Sequence, residues 1–411
     1  GTFRFKATSI GADTFLSQII KLVEEAQASK APIQKIADKV SSVFVPVVLI
    51  IAIASFFVWK LLGYDTVFAA NAFIAVLIIA CPCSLGLATP TAIIVGTGMG
   101  ATHGILFKNA ESLEKLAQVS LLLMDKTGTI TYGFPEVINI KTFNFDEKEF
   151  LKIVASIEKA SSHPLSEAVL KYYDKNDFYR VEKFETVPGK GLIGYINDKR
   201  YYLGSIYFLK ENDALLPEES LLKSDYSTIY VSEEFENKNQ LIGFIDIFDK
   251  IKDDADLFVN NIKKLNVTLY MLTGDNQKVA ELVAKTLGIN FYKANVLPHD
   301  KQKIVLEEKE KNLKVAMVGD GINDSPALAA ADVGIAFGSG TDIAMETSDI
   351  VLIKPNLMGI YRAFLLSRLT IMKIKENLFW AFLFNTIGIP IAAGLLYPLW
   401  GITLNPIFAG V

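Results

Sequence analysis

The stretch "VSLLLMDKTGTIT", Val119–Thr131, decides the fold. It opens as an apolar run of strand length and stops at the carboxylate of Asp125. A strand apolar on both faces belongs inside a parallel sheet covered by helices. Beyond Asp125, Lys126 is followed by Thr127, Gly128 and Thr129, which offer hydroxyls and a flexible backbone. A carboxylate presented this way can attack phosphorus and form an aspartyl phosphate. A lone Asp at a strand end more often just opens a turn. The reading therefore turns on what other strand ends contribute.

Two further runs end alike, "VTLYMLTGD" at Asp275 and "VAMVGDGIND" at Asp320 and Asp324. Helical patterns follow at Gln277–Leu287 and Ser325–Ala331, so the alternation predicts a doubly wound α/β sheet. In such sheets the ligand lies outside the carboxyl ends of the strands. Asp320 and Asp324 are hard oxygen donors suited to Mg2+ bridging phosphate oxygens. Asn323 can add a neutral hydrogen bond, and Thr273 and Gly274 a hydroxyl and an amide. Lys301, in "PHDKQKIV", could neutralise developing phosphoryl charge, although spacing alone reads it as a solvated helix surface.

Of 411 residues, 51% are hydrophobic, too many for an ordinary soluble protein of this length. Val43–Leu62 is long enough to cross a hydrocarbon layer of about 30 Å. Val67–Gly98 carries no charged residue and includes Pro82 and Pro90, which predicts a kinked or partly unwound helix. A third apolar run starts at Asn377. Basic residues flank the spans on the side of the large insertion, which puts that insertion in the cytoplasm. Before the first span, Asp13 to Lys39 reads as a solvated helix leading into the membrane. The formal charge of -4, without blocks of like charge, gives no sign of a nucleic-acid partner. Both ends read as cut from a longer chain.

The only two cysteines, Cys81 and Cys83, flank Pro82 in "ACPCS" within the second run. One buried cysteine would be a small hydrophobe. Two around a proline, which frees backbone carbonyls, can turn toward one point and select a soft cation such as Cu+. Between Phe134 and Leu241 lies an insertion of turn-rich, alternating patterns. It holds "SIEKASSHPLSEAV", where Ser162 or His163 opens a helix at Pro164, and "VPGKGLIG" with Gly189, Gly191 and Gly194.

Taken together, Asp-Lys-Thr-Gly-Thr from Asp125, Thr-Gly-Asp from Thr273 and Gly-Asp-Gly-Ile-Asn-Asp from Gly319 resemble the phosphorylation domain of P-type ATPases, in the haloacid dehalogenase superfamily. The resemblance implies that Asp125 is phosphorylated, that Asp125, Asp320 and Asp324 serve Mg2+, and that Lys301 touches the phosphate. It gives Lys126, Thr127, Thr273, Gly274, Asp275 and Asn323 a place in the same centre. The insertion resembles the nucleotide-binding domain of the heavy-metal branch, which implies ATP held by Glu158, His163, Gly189 and Gly191. Where that branch usually has Asn after the Gly of "YYLGS", this chain has Ser205.

Cys-Pro-Cys resembles the transport motif of that branch. Phe384 and Asn385 resemble the Tyr-Asn of its copper division, with Phe for Tyr, so Cys81, Cys83 and Asn385 are the implied ligands of transported Cu+ or Ag+. The expected layout is the end of an actuator domain and lead-in helix at 1–40 and two transmembrane helices at 41–98. A phosphorylation domain follows at 99–133 and 242–365, interrupted by a nucleotide-binding domain at 134–241, with a transmembrane helix and the start of another at 366–411. The implied protein exports Cu+ across the cell membrane, embedded in the lipid bilayer and supplied by a soluble metallochaperone. Alternatives are a zinc, cadmium or lead pump, a membrane-anchored phosphatase of haloacid dehalogenase type, and a metal-buffering membrane protein. The Thr-Gly-Glu of the family's actuator loop is absent from these residues.

Overall fold

The computed structural model describes residues 15–80, 83–161, 164–188, 190–222, 224–236, 238–320, 324–338 and 347–401. Chain contacts divide it into two compact units, one of Gly1–Leu121, Val305–Met317 and Gly321–Val411, the other of Leu122–Ile304 and Val318–Asp320.

The first unit begins with α1 (Phe15–Ala28) and α2 (Pro32–Leu61). A single lead-in helix from Asp13 to Lys39 does not form. Ala31 is extended and Pro32 starts α2, because proline is at home in a first helical turn and disrupts a helix interior. Among the described residues one helical stretch, Ile20–Leu61, is long and apolar enough to cross a membrane, and only 17% of its most apolar window is buried. The apolar run from Val67 is divided into α3 (Thr66–Ile79), capped by the Asp65 carboxylate accepting from Phe68 N at 2.7 Å, and α4 (Cys83–Thr102). Val48, Ala52, Ala75, Val76, Ile389 and Ala392 pack α2 and α3 against α13 (Leu357–Ala392). Small residues set the close approaches: a Cβ on Gly96 would meet Thr370 Oγ1 at 2.6 Å. The unit also holds strands β1 (Ile105–Phe107), β12 (Val333–Phe337) and β13 (Ile350–Leu352), with helices α5 (Ala110–Gln118) and α12 (Ser325–Ala330). Its strand order is β1-β13-β12-β11, ending in the first residues of β11 (Val315–Gly319). β12 and β13 are parallel, and the edge strand β1 is antiparallel.

The second unit takes the rest of β11 and continues in the order β2 (Leu121–Asp125), β9 (Thr268–Leu272), β10 (Phe291–Lys293). β2 and β11 are buried at every residue, as strands apolar on both faces must be. Helices α9 (Ala255–Lys264), α10 (Gln277–Leu287) and α11 (Pro298–Glu310) alternate with these strands, which is the doubly wound α/β arrangement. An antiparallel sheet is inserted after β2, in the order β3 (Thr131–Thr142), β8 (Lys238–Ile251), β7 (Ser227–Phe235), β6 (Lys199–Gly204), β5 (Gly191–Ile196), β4 (Lys183–Val187). Side chains alternate between its two faces along β6 and β7, and the alternation shifts on β8 at the irregularity opposite Val231 and Ser232. Tyr201, Leu203, Ile229 and Val231 face a core under α6 (Glu147–Glu158) and α7 (Pro164–Tyr173). Tyr202 and Tyr230 face a second core with Phe208 and Leu209 of α8 (Ile206–Glu211). Both faces are thus buried, and the β3–β8 ladder runs beyond Phe134 and Leu241 on either side.

Candidate active site

Asp125 is the last residue of β2, 7% exposed, and the chain turns at once through Lys126–Ile130. Gly128 has φ +70°, and Gly133, at φ +79°, lies so near that a Cβ would sit 3.0 Å from Gly128 Cα. This turn is held by residues that sequence reading passed over. Asp249, near the end of β8, accepts from the Thr131 hydroxyl at 2.5 Å and from Gly133 N at 2.9 Å. Lys252 donates its Nζ to the Gly128 carbonyl at 3.2 Å and its N–H to the Ile130 carbonyl at 3.0 Å. The signal was present in "FDKIKDD", a charged cluster closing a buried strand.

Lys252 is buried, and burial pulls its ammonium down to about 8. An unfolded lysine titrates near 10.5, so between these two values the unfolded chain binds more protons than the native one. Stability therefore rises with pH across that window. The urea midpoint of the chain, followed by circular dichroism, should climb from pH 8 toward 10.5, and Lys252→Met should flatten the climb.

Charge at the strand end is paired. Lys301 Nζ lies 2.8 Å from Asp125 Oδ1, and Lys301 is only 6% exposed, so the solvated helix surface is not where it sits. Lys126 and Asp275 form a second ion pair. Thr273 is fully buried, its hydroxyl accepting from Asp275 N at 3.1 Å, and a Cβ on Gly274 would make only an ordinary contact, 3.6 Å from the Val296 carbonyl. Asp320 follows β11, the neighbour of β2, so Asp125 and Asp320 stand at the ends of adjacent strands. Asp324 belongs to the other unit, buried at the start of α12. Asn323 lies outside the described residues. Among the described residues no three His, Cys, Asp or Glu side chains gather to hold a metal ion.

A cavity of about 600 Å³ opens on the antiparallel sheet. Its walls are largely apolar, from Leu165, Val187, Leu192, Leu203 and Ile229, with the Glu158 side chain at one wall. Gly191 and Gly204, register partners on β5 and β6, also line it. A Cβ on Gly191 would fall 2.2 Å from the Leu203 carbonyl, and one on Gly204 2.4 Å from the Lys190 carbonyl. Gly204 was not singled out in the sequence, because its partner across the ladder is visible only once the strands are paired. Ser205 lines the cavity too and caps α8, accepting from Phe208 N at 3.2 Å. His163 and Gly189 lie outside the described residues.

Cys81 lies outside the described residues and Cys83 is the first residue of α4. Asn385 is half-buried on α13, while Phe384 is exposed and stacks on Trp380 with centroids 5.9 Å apart.

Comparison with known families matches residues 119–332 to the haloacid dehalogenase-like hydrolases. The chain belongs to that family. The chain is also similar, over its full length, to the probable copper-exporting P-type ATPase of Archaeoglobus fulgidus, at 42% identity and over 51% of that protein. To the probable copper-importing P-type ATPase A of Enterococcus hirae it is 45% identical, over 56% of that protein. It thus spans about half the length of the curated relatives it matches. Among solved structures, a zinc-transporting PIB-type ATPase in its E2.Pi state superposes with a TM-score of 0.74, at 30% identity, covering 98% of this chain and 65% of that one.

Proposed function

We propose that this chain is the catalytic and metal-translocating part of an ATP-driven heavy-metal pump that exports Cu+ from the cytoplasm. The observation that carries the reading is the buried Asp125–Lys301 pair at the end of β2. A carboxylate held against a lysine, in a site that excludes most water, is placed to act as a nucleophile. In the proposed step an Asp125 oxygen attacks the γ-phosphorus of ATP, the bond to the bridging oxygen breaks, and ADP leaves. Lys301 and Lys126 stabilise negative charge on the transferred group, and the Thr273 hydroxyl and Gly274 amide border it. Asp125 and Asp320 would hold Mg2+, which when bound neutralises phosphate charge. Glu158, His163, Gly189 and Gly191 would bind the nucleotide, supported for Glu158 and Gly191 by their share in the cavity wall.

Cys81, Cys83 and Asn385 are the proposed ligands of the transported ion. Soft thiolates favour a monovalent soft metal, Cu+ or Ag+. The higher identity to relatives named for copper than to the zinc structure supports the same choice. The exposed apolar face of α2 supports a lipid bilayer as its surroundings, and we assign the pump to the cell membrane with its large loop cytoplasmic and a metallochaperone as donor.

The test is labelling with γ-32P ATP in the presence of Cu+. An acid-stable, hydroxylamine-sensitive phosphoprotein is expected, and Asp125→Asn should abolish it. Label that persists in Asp125→Asn would end this reading. Maximal labelling with Zn2+ or Cd2+ in place of Cu+ would leave the phosphorylation step standing and overturn the metal.

A further inference from the structure

Glu158 ends α6 and is 3% exposed, yet its side chain reaches the wall of the nucleotide cavity. Behind it, on α7, Ser166 is 1% exposed and donates its hydroxyl to Glu158 Oε2 at 2.5 Å. Oε2 is thereby engaged, and Oε1 remains as the oxygen able to face a ligand. A carboxylate so enclosed is costly to keep charged unless hydrogen bonds support it. Burial pushes the Glu158 carboxyl up from the usual carboxylate range, and the Ser166 hydrogen bond pulls it part of the way back.

The surroundings offer Glu158 little other help among the described residues. Lys159, next in the chain, lies over the Phe178 ring at 3.9 Å. Lys190, at the cavity rim, is paired with Glu211 of α8 at 2.6 Å. Glu167 of α7 is exposed, and the wall residues from β5, β6 and β7 carry no charge.

We infer that Ser166 is a positioning residue of the nucleotide site, fixing Glu158 as a hydrogen-bond acceptor that reads the exocyclic amino group of adenine. This rests on the nucleotide reading of the cavity. A protonated or rotated Glu158 would present a donor, or nothing, to that amino group. Ser166 touches no nucleotide, and acts only through the carboxylate it orients.

The experiment is ATP binding by the full chain, measured by calorimetry in a pH series that runs from alkaline values down toward the ordinary carboxylate range. Ser166→Ala should weaken ATP binding about tenfold at the acid end, the size of one hydrogen bond to a charged group, and converge on the wild type at the alkaline end. Ser166→Thr should restore the wild-type profile, and Glu158→Gln should remove the pH dependence. Ser166→Cys keeps the volume with a weaker donor and stands in should the alanine variant fail to fold. An equal loss at every pH, or no loss, overturns the role of Ser166 while leaving ATP binding intact. A wild-type chain that binds no ATP overturns the nucleotide reading itself.

Discussion

Lys301→Ala should both loosen the protein and stop its chemistry. Removing one partner of a buried ion pair strands the other, at a cost of about 3–5 kcal/mol, because the Asp125 carboxylate would be left enclosed without its cation. Loss of a preorganised charge aimed at a reacting group typically slows the step by about 100- to 1,000-fold. The rate of phosphoenzyme formation, followed by rapid quench with labelled ATP, should fall into that range. Lys301→Met keeps the aliphatic packing and should show the same kinetic loss. Combining Lys301→Met with Asp125→Asn should destabilise less than the two single changes added, since the pair is removed as a unit. A normal phosphorylation rate in Lys301→Met would mean that the ammonium serves only to neutralise Asp125 in the resting fold.

Gly191→Ala is the second large effect. Its Cβ would collide with a main-chain carbonyl, and main chain in a paired ladder cannot swing aside as a flexible side chain can. β5 and β6 would have to part where they form the cavity, costing about 1–3 kcal/mol by overpacking and deforming the proposed nucleotide site. ATP affinity should drop at least about tenfold, equivalent to roughly 1.4 kcal/mol of misfit. Gly204→Ala should match it, because its Cβ would meet the Lys190 carbonyl, just ahead of the partner strand. Gly274→Ala is the control: the nearest atom to its Cβ is 3.6 Å away, so the fold should tolerate it and any loss should appear in phosphoryl transfer alone. If Gly191→Ala bound ATP normally, the close approach of the two strands would not matter to the cavity.

The strand ends were legible because burial on both faces leaves a plain trace, an unbroken apolar run that stops at a polar residue. α10 spans Gln277–Leu287, the same limits its pattern predicts. The order and spacing of the Asp125, Thr273 and Asp320 segments were legible too. Asp249, Lys252 and Ser166 were not, since each acts through a partner distant in sequence or on a different element, and single-sequence periodicity carries no pairing information. Lys301 misled in the opposite sense: on the pattern of α11 it could sit in solvent, and only the fold turns it toward Asp125. The break between α1 and α2 at Pro32 was readable in principle from the proline, but the helical spacing on both sides concealed it.

The β3–β8 ladder carries the chain into the antiparallel sheet and out again, side by side. Its register is fixed by cross-strand hydrogen bonds, so the two strands cannot slip past one another without breaking several at once. Twisting is much cheaper, and the irregularities between Thr131 and Pro135 and between Val137 and Asn139 are where an antiparallel pair already twists most. The pair is therefore a torsion strap: stiff to stretch and shear, soft to rotation. Asp249 and Lys252 clamp its lower end to the turn after Asp125, so a rotation of the antiparallel sheet would reach that turn as torque.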